Sequence, residues 1–360
     1  MMRALRFHAR RDLRLDQVSP PSSPKGDDVI LEVTYCGICG TDLHEYLHGP
    51  IIVPQEPHPV SGAQMPLILG HEFSAQVAAI GPEVRGLQLG DRVAVLPHLM
   101  AKGDWYDRRN LGQFSPQTGL VGLTWHWGGM GEQVLVPAEN VVPLPDGVSD
   151  IQGTMIEPAA VALNALDETG LKAGDTVLIT GAGPIGALVA MAARTAGAAR
   201  IYLHDPNKGR IARLSAMEGI TTFDGASSDV LEQIVQDTDQ GVGVDIAIEC
   251  AGHPDALALC LDGVRRKGNV AIVGLIGGQT PVDLFKVCEK GLNLIGTWGN
   301  DFTIGPRLIA LIETGRFPVE ELVTSVVPLE TAIAQGFDVL ARPGSDELKI
   351  MIDMQSAGDP

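Results

Sequence analysis

The chain has 360 residues, of which 45% are hydrophobic and 19% are charged, and its formal net charge is −18. A chain of this length can bury a large core and usually forms two domains. Its acidic balance argues against nucleic acid or an anionic membrane as a partner. The N-terminus lacks the apolar core of a signal peptide, and no apolar run reaches the roughly 20 residues that cross a bilayer. Five cysteines do not suggest a disulfide framework, so we expect reduced thiols in a cytoplasmic protein.

Short predicted strands fill the N-terminal part of the chain, and clusters of glycine and proline separate them. These strands include residues 29–34, 74–80, 92–96 and 132–136. Regularly spaced short strands of this kind predict an all-β barrel or sandwich.

The pattern changes near Ile156, after which strands and helices alternate. The predicted strands are 177–180, 200–204, 245–249, 269–273 and 293–296, and the predicted helices include 184–196 and 210–218. This alternation predicts a parallel, doubly wound sheet. A helix at 305–314 and a strand at 348–352 complete the chain. The predicted fold class is therefore α/β.

A glycine-rich turn joins the first of the later strands to the helix that follows it. Its residues are Gly181, Ala182, Gly183, Pro184, Ile185 and Gly186. The first glycine permits the tight turn, the second lets a pyrophosphate approach the backbone, and the third lets the helix pack on the strand. The helix N-terminus adds free N–H groups and the positive end of its dipole. The turn predicts a dinucleotide site.

The identity of the dinucleotide depends on Asp205, which follows the next strand. A carboxylate at this distance from the glycines binds the adenosine ribose diol and repels a 2′-phosphate. No arginine stands directly beside it, although Lys208 and Arg210 are close in the sequence. We therefore predict NAD as the cofactor, with Arg210 in its binding site.

Residues that commonly bind metals lie in the N-terminal part of the chain and near Ile156, where strands and helices begin to alternate. Cys39 belongs to the segment CGICGTDLH, His71 and Glu72 are adjacent, and Glu157 precedes a proline. Thiolate, imidazole and carboxylate together suit zinc, and three protein ligands with an open position define a catalytic zinc site. Each residue alone is more simply explained as part of the core or surface. The spacing by itself therefore does not decide the matter.

Taken together, these motifs resemble the zinc-containing medium-chain alcohol dehydrogenase family over essentially the whole chain. They are CGICGTDLH at 36–44, GHE at 70–72, EP at 157–158, GAGPIG at 181–186, IECAG at 248–252 and LKI at 348–350. Within the family, the segment 45–72 looks most like the 2,3-butanediol dehydrogenases. The resemblance implies a GroES-like, β-rich catalytic domain made of residues 1–153 and 298–360. Residues 154–297 would form a Rossmann NAD-binding domain.

The resemblance also assigns roles to single residues. Cys39 and His71 would be zinc ligands, and Glu72 and Glu157 would complete the sphere, with one of them yielding to water or substrate. Asp42 would accept a hydrogen bond from the ligand histidine and orient it.

The implied reaction is the reversible oxidation of a secondary alcohol or vicinal diol to the ketone, with zinc as Lewis acid and NAD as hydride acceptor. Thr41 and His44 would carry the alcohol proton to solvent, and Glu72 and Glu157 would tune the acidity of the metal. We predict 2,3-butanediol and acetoin as the substrate pair. Polyol (sorbitol-like), threonine and general secondary-alcohol dehydrogenases share these motifs and stay as alternatives. A zinc-free quinone reductase or a non-catalytic nucleotide binder of the same fold is a more remote one.

Many members of the family hold a second, structural zinc with four cysteines in a lobe that begins near Pro97. Aligned without gaps, this chain carries at those positions Ala101, Asp104, Asp107 and Ser115. We therefore predict one catalytic zinc per chain and no structural zinc, with the lobe held by ion pairs and aromatic packing. The resemblance further implies a homodimer or homotetramer that forms through the sheet edge near residues 292–297.

Overall fold

The structure, a computed structural model, describes residues 1–300 and 302–356. It divides into two compact units. The first unit is Met1–Glu157 together with the chain from Asn300 onward, and the second unit is Pro158–Gly299. The predicted boundaries, after residues 153 and 297, differ from these by a few residues. Among the helices of the described residues, none combines the length and apolar character needed to cross a bilayer.

The N-terminal part of the first unit consists mainly of strands. They are β1 (Met2–Ala9), β2 (Asp12–Val18), β3 (Asp28–Gly37), β4 (Leu67–Ile68), β5 (Glu72–Ile80), β6 (Arg92–Val95), β7 (His98–Leu99), β8 (Gly119–Leu120), β9 (Gln133–Pro137) and β10 (Val141–Pro143). The helices of this part are α1 (Gly40–His48), α2 (Asp150–Thr154) and α3 (Ile156–Thr169), and the last of these continues into the second unit.

The second unit alternates strands and helices, as predicted. Its strands are β11 (Thr176–Thr180), β12 (Arg200–His204), β13 (Ile220–Phe223), β14 (Val244–Glu249), β15 (Val264–Ile272) and β16 (Asn293–Gly296). Its further helices are α4 (Pro184–Thr195), α5 (Lys208–Leu214), α6 (Ser227–Asp237), α7 (Pro254–Gly263) and α8 (Leu284–Lys290). Helix α5 is shorter than predicted, since it ends at Leu214.

The C-terminal part returns to the first unit. Its elements are α9 (Ile304–Glu313), β17 (Val323–Pro328), a π-helical turn at Ala332–Phe337, α10 (Asp338–Leu340) and β18 (Lys349–Asp353).

In the first unit, β3 is the strand that organises the main sheet. The sheet has the order β10-β6-β5-β3-β18-β17, and β9 also pairs with β3. Strand β9 pairs with the first half of β3, and β18 pairs with its last residues, from Tyr35 to Gly37. The end of β3 is thus held between β5 and β18. Because β3 is central, most of its side chains are buried, and its apolar run fits that position.

The second unit contains one parallel six-stranded sheet with the order β13-β12-β11-β14-β15-β16. The predicted doubly wound sheet and the α/β class are confirmed. Buried side chains of the central strands, among them Leu178, Tyr202 and Val270, pack in a core with Leu257 and Leu261 of α7. All strands run in the same direction, so the residues that follow β11, β12 and β14 lie at one edge, where ligands of such sheets bind.

Candidate functional site

The first turn of α1 positions the predicted thiol ligand. Cys39 is the N-cap residue of α1, and its backbone N–H donates to Asp42 Oδ2 over 3.1 Å. A carboxylate in the first turn is favoured there because it satisfies free N–H groups and faces the positive end of the helix dipole. Asp42 is fully buried, and its Oδ1 also accepts from the Gly70 N–H at 3.3 Å. One carboxylate therefore joins the Cys39 segment to the residue before His71.

His71 is buried beside both of these residues. Its Nδ1 lies 3.6 Å from Asp42 Oδ1, a little beyond a hydrogen bond, and has no other partner. Burial by itself lowers the pKa of His71, but the charges of Asp42 and Cys39 outweigh burial and raise it well above its usual value. The structure thus brings Cys39, Asp42 and His71 together.

Glu72 forms a buried ion pair that the sequence did not predict. Its two carboxylate oxygens accept from Lys349 Nζ at 2.8 and 2.6 Å, and each side chain belongs to a residue only 1% exposed. Lys349 Nζ also donates to the Ile38 carbonyl at 3.3 Å. Burial lowers the pKa of Lys349, but the charge of Glu72 raises it above its usual value, so the ammonium stays charged. Lys349 belongs to the LKI motif that carried the resemblance, and this motif was the signal in the sequence that could have identified Lys349 as a site residue.

Glu157 is buried at the start of α3 and is the other predicted carboxylate ligand. Burial raises the pKa of Glu157 to about 7, while the charge of His71 lowers it and that of Glu72 raises it. Glu157 therefore feels the charges of the same group of residues. A nearby cation would be needed to keep it ionised below neutral pH.

No three His, Cys, Asp or Glu side chains among the described residues lie close enough together to hold a metal ion as they stand. The donor set nevertheless suits zinc in its chemistry, since it offers a thiol, an imidazole and a carboxyl group in one buried region. The unpartnered Nδ1 of His71 faces Asp42, which is the arrangement that orients a ligand histidine. The residues present therefore fit the metal in type and in their orienting partner.

The proposed proton carriers lie on α1. Thr41 Oγ1 is 3.8 Å from Cys39 Sγ, and His44, one turn further along, is exposed. Residues three apart share one side of a helix. Thr41 is thus beside the candidate metal ligand, and His44 is at the surface.

In the second unit, the glycine-rich turn has the predicted geometry. Gly181 has a φ of +99°, and a Cβ there would lie 2.7 Å from Ala251 N. A Cβ at Gly186 would lie 1.8 Å from the Gly181 carbonyl oxygen, so neither position accepts a side chain. Gly183 is the N-cap of α4, with Pro184 next to it and Ile185 half-buried. A Cβ at Gly183 would meet only Arg210 Nη1 within 4 Å, at 3.8 Å.

Asp205 and Arg210 both lie next to this turn. Asp205 Oδ2 accepts from the Ala182 N–H and Oδ1 from the Asn207 N–H, each at 2.7 Å. Arg210 Nε is buried without a partner. An open glycine next to a guanidinium whose Nε has no partner is a cradle that fits the phosphates of a dinucleotide.

Glu249, which the sequence analysis did not single out, holds the loop against which the glycine-rich turn packs. It is fully buried at the end of β14, and its Oε1 accepts from the N–H groups of Ala251 and Gly252, each at 2.8 Å. Burial raises the pKa of Glu249, and these hydrogen bonds oppose that rise. Since Ala251 is the residue that Gly181 touches, Glu249 fixes the loop on which the glycine turn rests.

The lobe at residues 97–122 is held by hydrogen bonds at three of the positions where relatives have cysteine. Asp104 accepts from the Asp107 N–H and from Ser115 Oγ, each at 2.7 Å. These bonds lower the pKa of Asp104. Nearby, the Arg109 guanidinium lies 4.2 Å from the centre of the Trp105 ring. The polar network thus connects Asp104 with Asp107 and Ser115 without a thiol.

Comparison with known proteins gives consistent matches to both units. The alcohol dehydrogenase GroES-like domain matches residues 25–146, and the zinc-binding dehydrogenase domain matches residues 184–314. The chain is 35% identical over 352 residues to the (R,R)-butanediol dehydrogenase of Bacillus subtilis (strain 168), covering 98% of this chain and 99% of that protein. It is 31% identical over 305 residues to the L-threonine 3-dehydrogenase of Protochlamydia amoebophila (strain UWE25), covering 84% of this chain and 86% of that protein.

A solved structure also matches over nearly the full length of the chain. The crystal structure of 2R,3R-butanediol dehydrogenase from Bacillus subtilis superposes with a TM-score of 0.89 at 33% identity, covering 99% of this chain and 100% of that one.

Proposed function

Because the chain belongs to the zinc-containing alcohol dehydrogenase family, we propose that it oxidises a secondary alcohol or vicinal diol to the ketone with NAD, and that 2,3-butanediol and acetoin are its substrate pair. The predicted enzyme class and the GroES-like and Rossmann domains are confirmed by these matches. In our proposal the first unit binds zinc and the alcohol, and the second unit binds the nucleotide.

The observation that carries the proposal is the buried carboxylate of Asp42, which accepts from the Cys39 N–H and lies 3.6 Å from His71 Nδ1. Zinc bound there would polarise the alcohol oxygen as a Lewis acid and make the hydroxyl easier to ionise. The three residues come from two separate segments of the chain, so their meeting is a property of the fold. A buried histidine with a carboxylate behind it is the arrangement that a zinc ligand requires.

Of the two carboxylates, we assign Glu157 as the third zinc ligand. Both oxygens of Glu72 are already engaged by Lys349. Glu72 would act on the metal through its charge, and Lys349 would limit that charge. Replacing Glu157 with Gln should then reduce zinc content far more than replacing Glu72 with Gln.

Thr41 and His44 are proposed to move the proton that the alcohol releases. The Thr41 hydroxyl lies beside Cys39, where it can accept a hydrogen bond from, or donate one to, a group bound at the metal position. His44 is exposed, and imidazole exchanges protons with water near neutral pH. The two residues are spaced to connect the buried site with solvent.

The nucleotide is proposed to be NAD, which accepts hydride at its nicotinamide ring. Asp205 carries a negative charge next to the turn and disfavours the extra phosphate of NADP. Arg210 is proposed to bind a phosphate or ribose oxygen near Gly183. Equal rates with NAD and NADP would show that the Arg210 charge outweighs that of Asp205.

We propose one zinc per chain. Asp104 accepts hydrogen bonds from the Asp107 N–H and from Ser115 Oγ, and none of these three residues offers a thiolate. A tetrahedral structural site in this family needs four cysteines.

A homodimer or homotetramer is proposed to form through the edge strand β16. Within the described sheet, β16 pairs only with β15 and leaves its other edge open. The nearby Leu294, Trp298 and Phe285 are exposed apolar side chains. An open edge with apolar neighbours is a surface that proteins usually cover.

The experiment that tests the substrate is a set of initial rates with NAD and NADP. The panel contains the three stereoisomers of 2,3-butanediol, sorbitol, threonine and simple secondary alcohols. We expect kcat/KM for one butanediol isomer to exceed that of every other compound by at least about tenfold, a discrimination of about 1.4 kcal/mol. A higher value for sorbitol or threonine would replace the substrate and keep the enzyme class.

A further inference from the structure

Helix α1 carries two histidines four residues apart, and one of them has no role in the proposed reaction. The segment HEYLH at 44–48 has the form H-E-x-x-H, in which both histidines lie on one face of a helix. Within this segment Glu45 and Tyr46 are buried, whereas His44 and His48 are exposed. The two imidazoles therefore lie together on the outer side of α1.

The two rings are close enough for one metal ion to bind both. Their centres are 6.3 Å apart. An ion such as zinc binds an imidazole nitrogen at about 2.1 Å and so lies about 3.2 Å from the centre of that ring. Two rings on one ion therefore have centres at most about 6.4 Å apart, and about 5.2 Å apart in tetrahedral geometry. Because both side chains are exposed, small rotations about their own bonds can supply the difference.

The surroundings of the pair favour a cation. His48 is the last residue of α1, and the C-terminal end of a helix attracts positive charge. The formal net charge of −18 raises the concentration of cations near the protein. Imidazole prefers ions such as Zn²⁺, Ni²⁺ and Cu²⁺, whereas Mg²⁺ and Ca²⁺ prefer oxygen ligands. The pair therefore suits a divalent transition metal ion, with water completing its coordination.

Glu45 lies between the two histidines in the sequence but is not available to such an ion. In metal-dependent hydrolases with this motif, the glutamate acts as general base. Here the Glu45 carboxylate is buried and accepts from the N–H groups of Ile51 at 2.9 Å and Val53 at 3.3 Å. Within the part of the chain that the structure describes, no third His, Cys, Asp or Glu joins the pair. The pair can thus bind a metal ion but lacks the base that hydrolysis needs.

We propose that His44 and His48 bind one divalent transition metal ion, in addition to the zinc proposed above, and that this ion inhibits alcohol oxidation. The inhibition rests on the proposed function, in which His44 passes the alcohol proton to water. A neutral imidazole has one nitrogen lone pair, and a bound metal ion occupies it. His44 then has no site to receive the proton, so kcat falls while the buried zinc stays in place.

The ion at this pair exchanges with the buffer, because only two side chains hold it. Gel filtration into metal-free buffer removes it, whereas the buried zinc is retained. The purified chain therefore keeps the single zinc proposed above, and the second ion is present only when free metal is supplied.

The first test measures Ni²⁺ binding to the zinc-loaded protein by isothermal titration calorimetry. We expect one Ni²⁺ per chain in the unaltered protein, and at least about tenfold weaker binding in His48→Gln and in His44→Gln. Losing a side chain that merely supports a metal ligand already costs about tenfold to a hundredfold in affinity. His126→Gln is the matched control, since His126 is also exposed and belongs to the same unit. Equal affinity in the unaltered protein, His48→Gln and His44→Gln would overturn the site.

The second test measures initial rates with NAD and the best alcohol substrate as Ni²⁺ is raised. His48→Gln keeps His44, so its rate without added Ni²⁺ should match that of the unaltered enzyme. We expect saturating Ni²⁺ to lower kcat of the unaltered enzyme at least about tenfold, since a positioned acid or base contributes about 10²–10⁴-fold. The Ni²⁺ concentration that gives half of this effect should be at least about tenfold higher in His48→Gln. Equal inhibition of both proteins would overturn the inference.

The two tests separate this inference from the proposed function. If Ni²⁺ binds the pair and leaves kcat unchanged, the inhibition is refuted. If elemental analysis after gel filtration shows that Ni²⁺ has displaced the buried zinc, the inhibition belongs to that site and the inference is overturned. If the zinc-loaded protein oxidises no alcohol, the proposed function fails, and calorimetry still decides whether the histidine pair binds a metal ion.

Discussion

The Glu72–Lys349 pair offers the sharpest test of how the site is held together. Changing Lys349 to Met keeps much of the side-chain volume and removes the charge. Because both residues are only 1% exposed, Glu72 would be left as a buried carboxylate without its cation. Removing one partner of a buried ion pair destabilises by about 3–5 kcal/mol.

This magnitude translates into a measurable shift. For a folding unit of about 150–250 residues, 1 kcal/mol shifts Tm by about 2–4 °C. We therefore expect Lys349→Met to lower the Tm of the first unit by about 6–20 °C. The double variant Lys349→Met/Glu72→Met removes both charges and should recover most of the loss, since replacing a buried pair by apolar side chains is often neutral.

The assay is urea or thermal unfolding followed by tryptophan fluorescence, because Trp105, Trp125 and Trp127 all belong to the first unit. Lys102→Met is the matched control, since Lys102 pairs with Glu139 at 2.5 Å on the surface with its side chain 61% exposed. Surface substitutions of this kind change stability by no more than about 0.5 kcal/mol. If the effects of Lys349→Met and Glu72→Met simply add in the double variant, the pair is not coupled and the reasoning is refuted.

Three further predictions concern the two sites and the lobe. Thr41→Val should leave zinc and NAD binding intact and reduce kcat severely, and unchanged turnover would remove Thr41 from the proton path. In the metal-free protein the pKa of Glu157 is about 7, whereas its ordinary value is 4.5. Its contribution to the free energy of unfolding is therefore fully present below about pH 4.5, and roughly 3 kcal/mol of it is lost as pH rises through about 7. Glu157→Gln should flatten this part of the stability profile, and an unchanged slope would contradict the assignment. Asp104→Ala should speed proteolytic cleavage within the lobe relative to Glu83→Ala, and equal cleavage rates would show that Asp104 does not hold it.

The features that the sequence predicts well are local ones. The glycine turn at 181–186 combines a strand, a tight turn and a helix start, and each depends on residues only a few positions apart. Apolar patterning predicts several strands of both units for the same reason, among them β6 and β11, but it does not predict β13 or β17. Helix α5 ended earlier than predicted because Ser215 already caps it and a turn follows.

The features that the sequence did not reveal depend on contacts between distant residues. Lys349 and Glu72 are 277 positions apart and meet only because β18 pairs with β3 beside β5. The hydrogen bond of Asp104 with Ser115 likewise required the lobe to be folded. Pattern and motif identify the chemistry, while burial and pairing decide which carboxylate is free.

We propose that a single zinc site made of Cys39, His71 and Glu157 underlies an alcohol dehydrogenase activity. The most direct measurement is the zinc content of the purified chain by elemental analysis, alongside Cys39→Ser and Glu72→Gln. We expect one zinc per chain in the unaltered protein, nearly none in Cys39→Ser and close to one in Glu72→Gln. Two zinc ions per chain in the unaltered protein, or full zinc retention in Cys39→Ser, would contradict it.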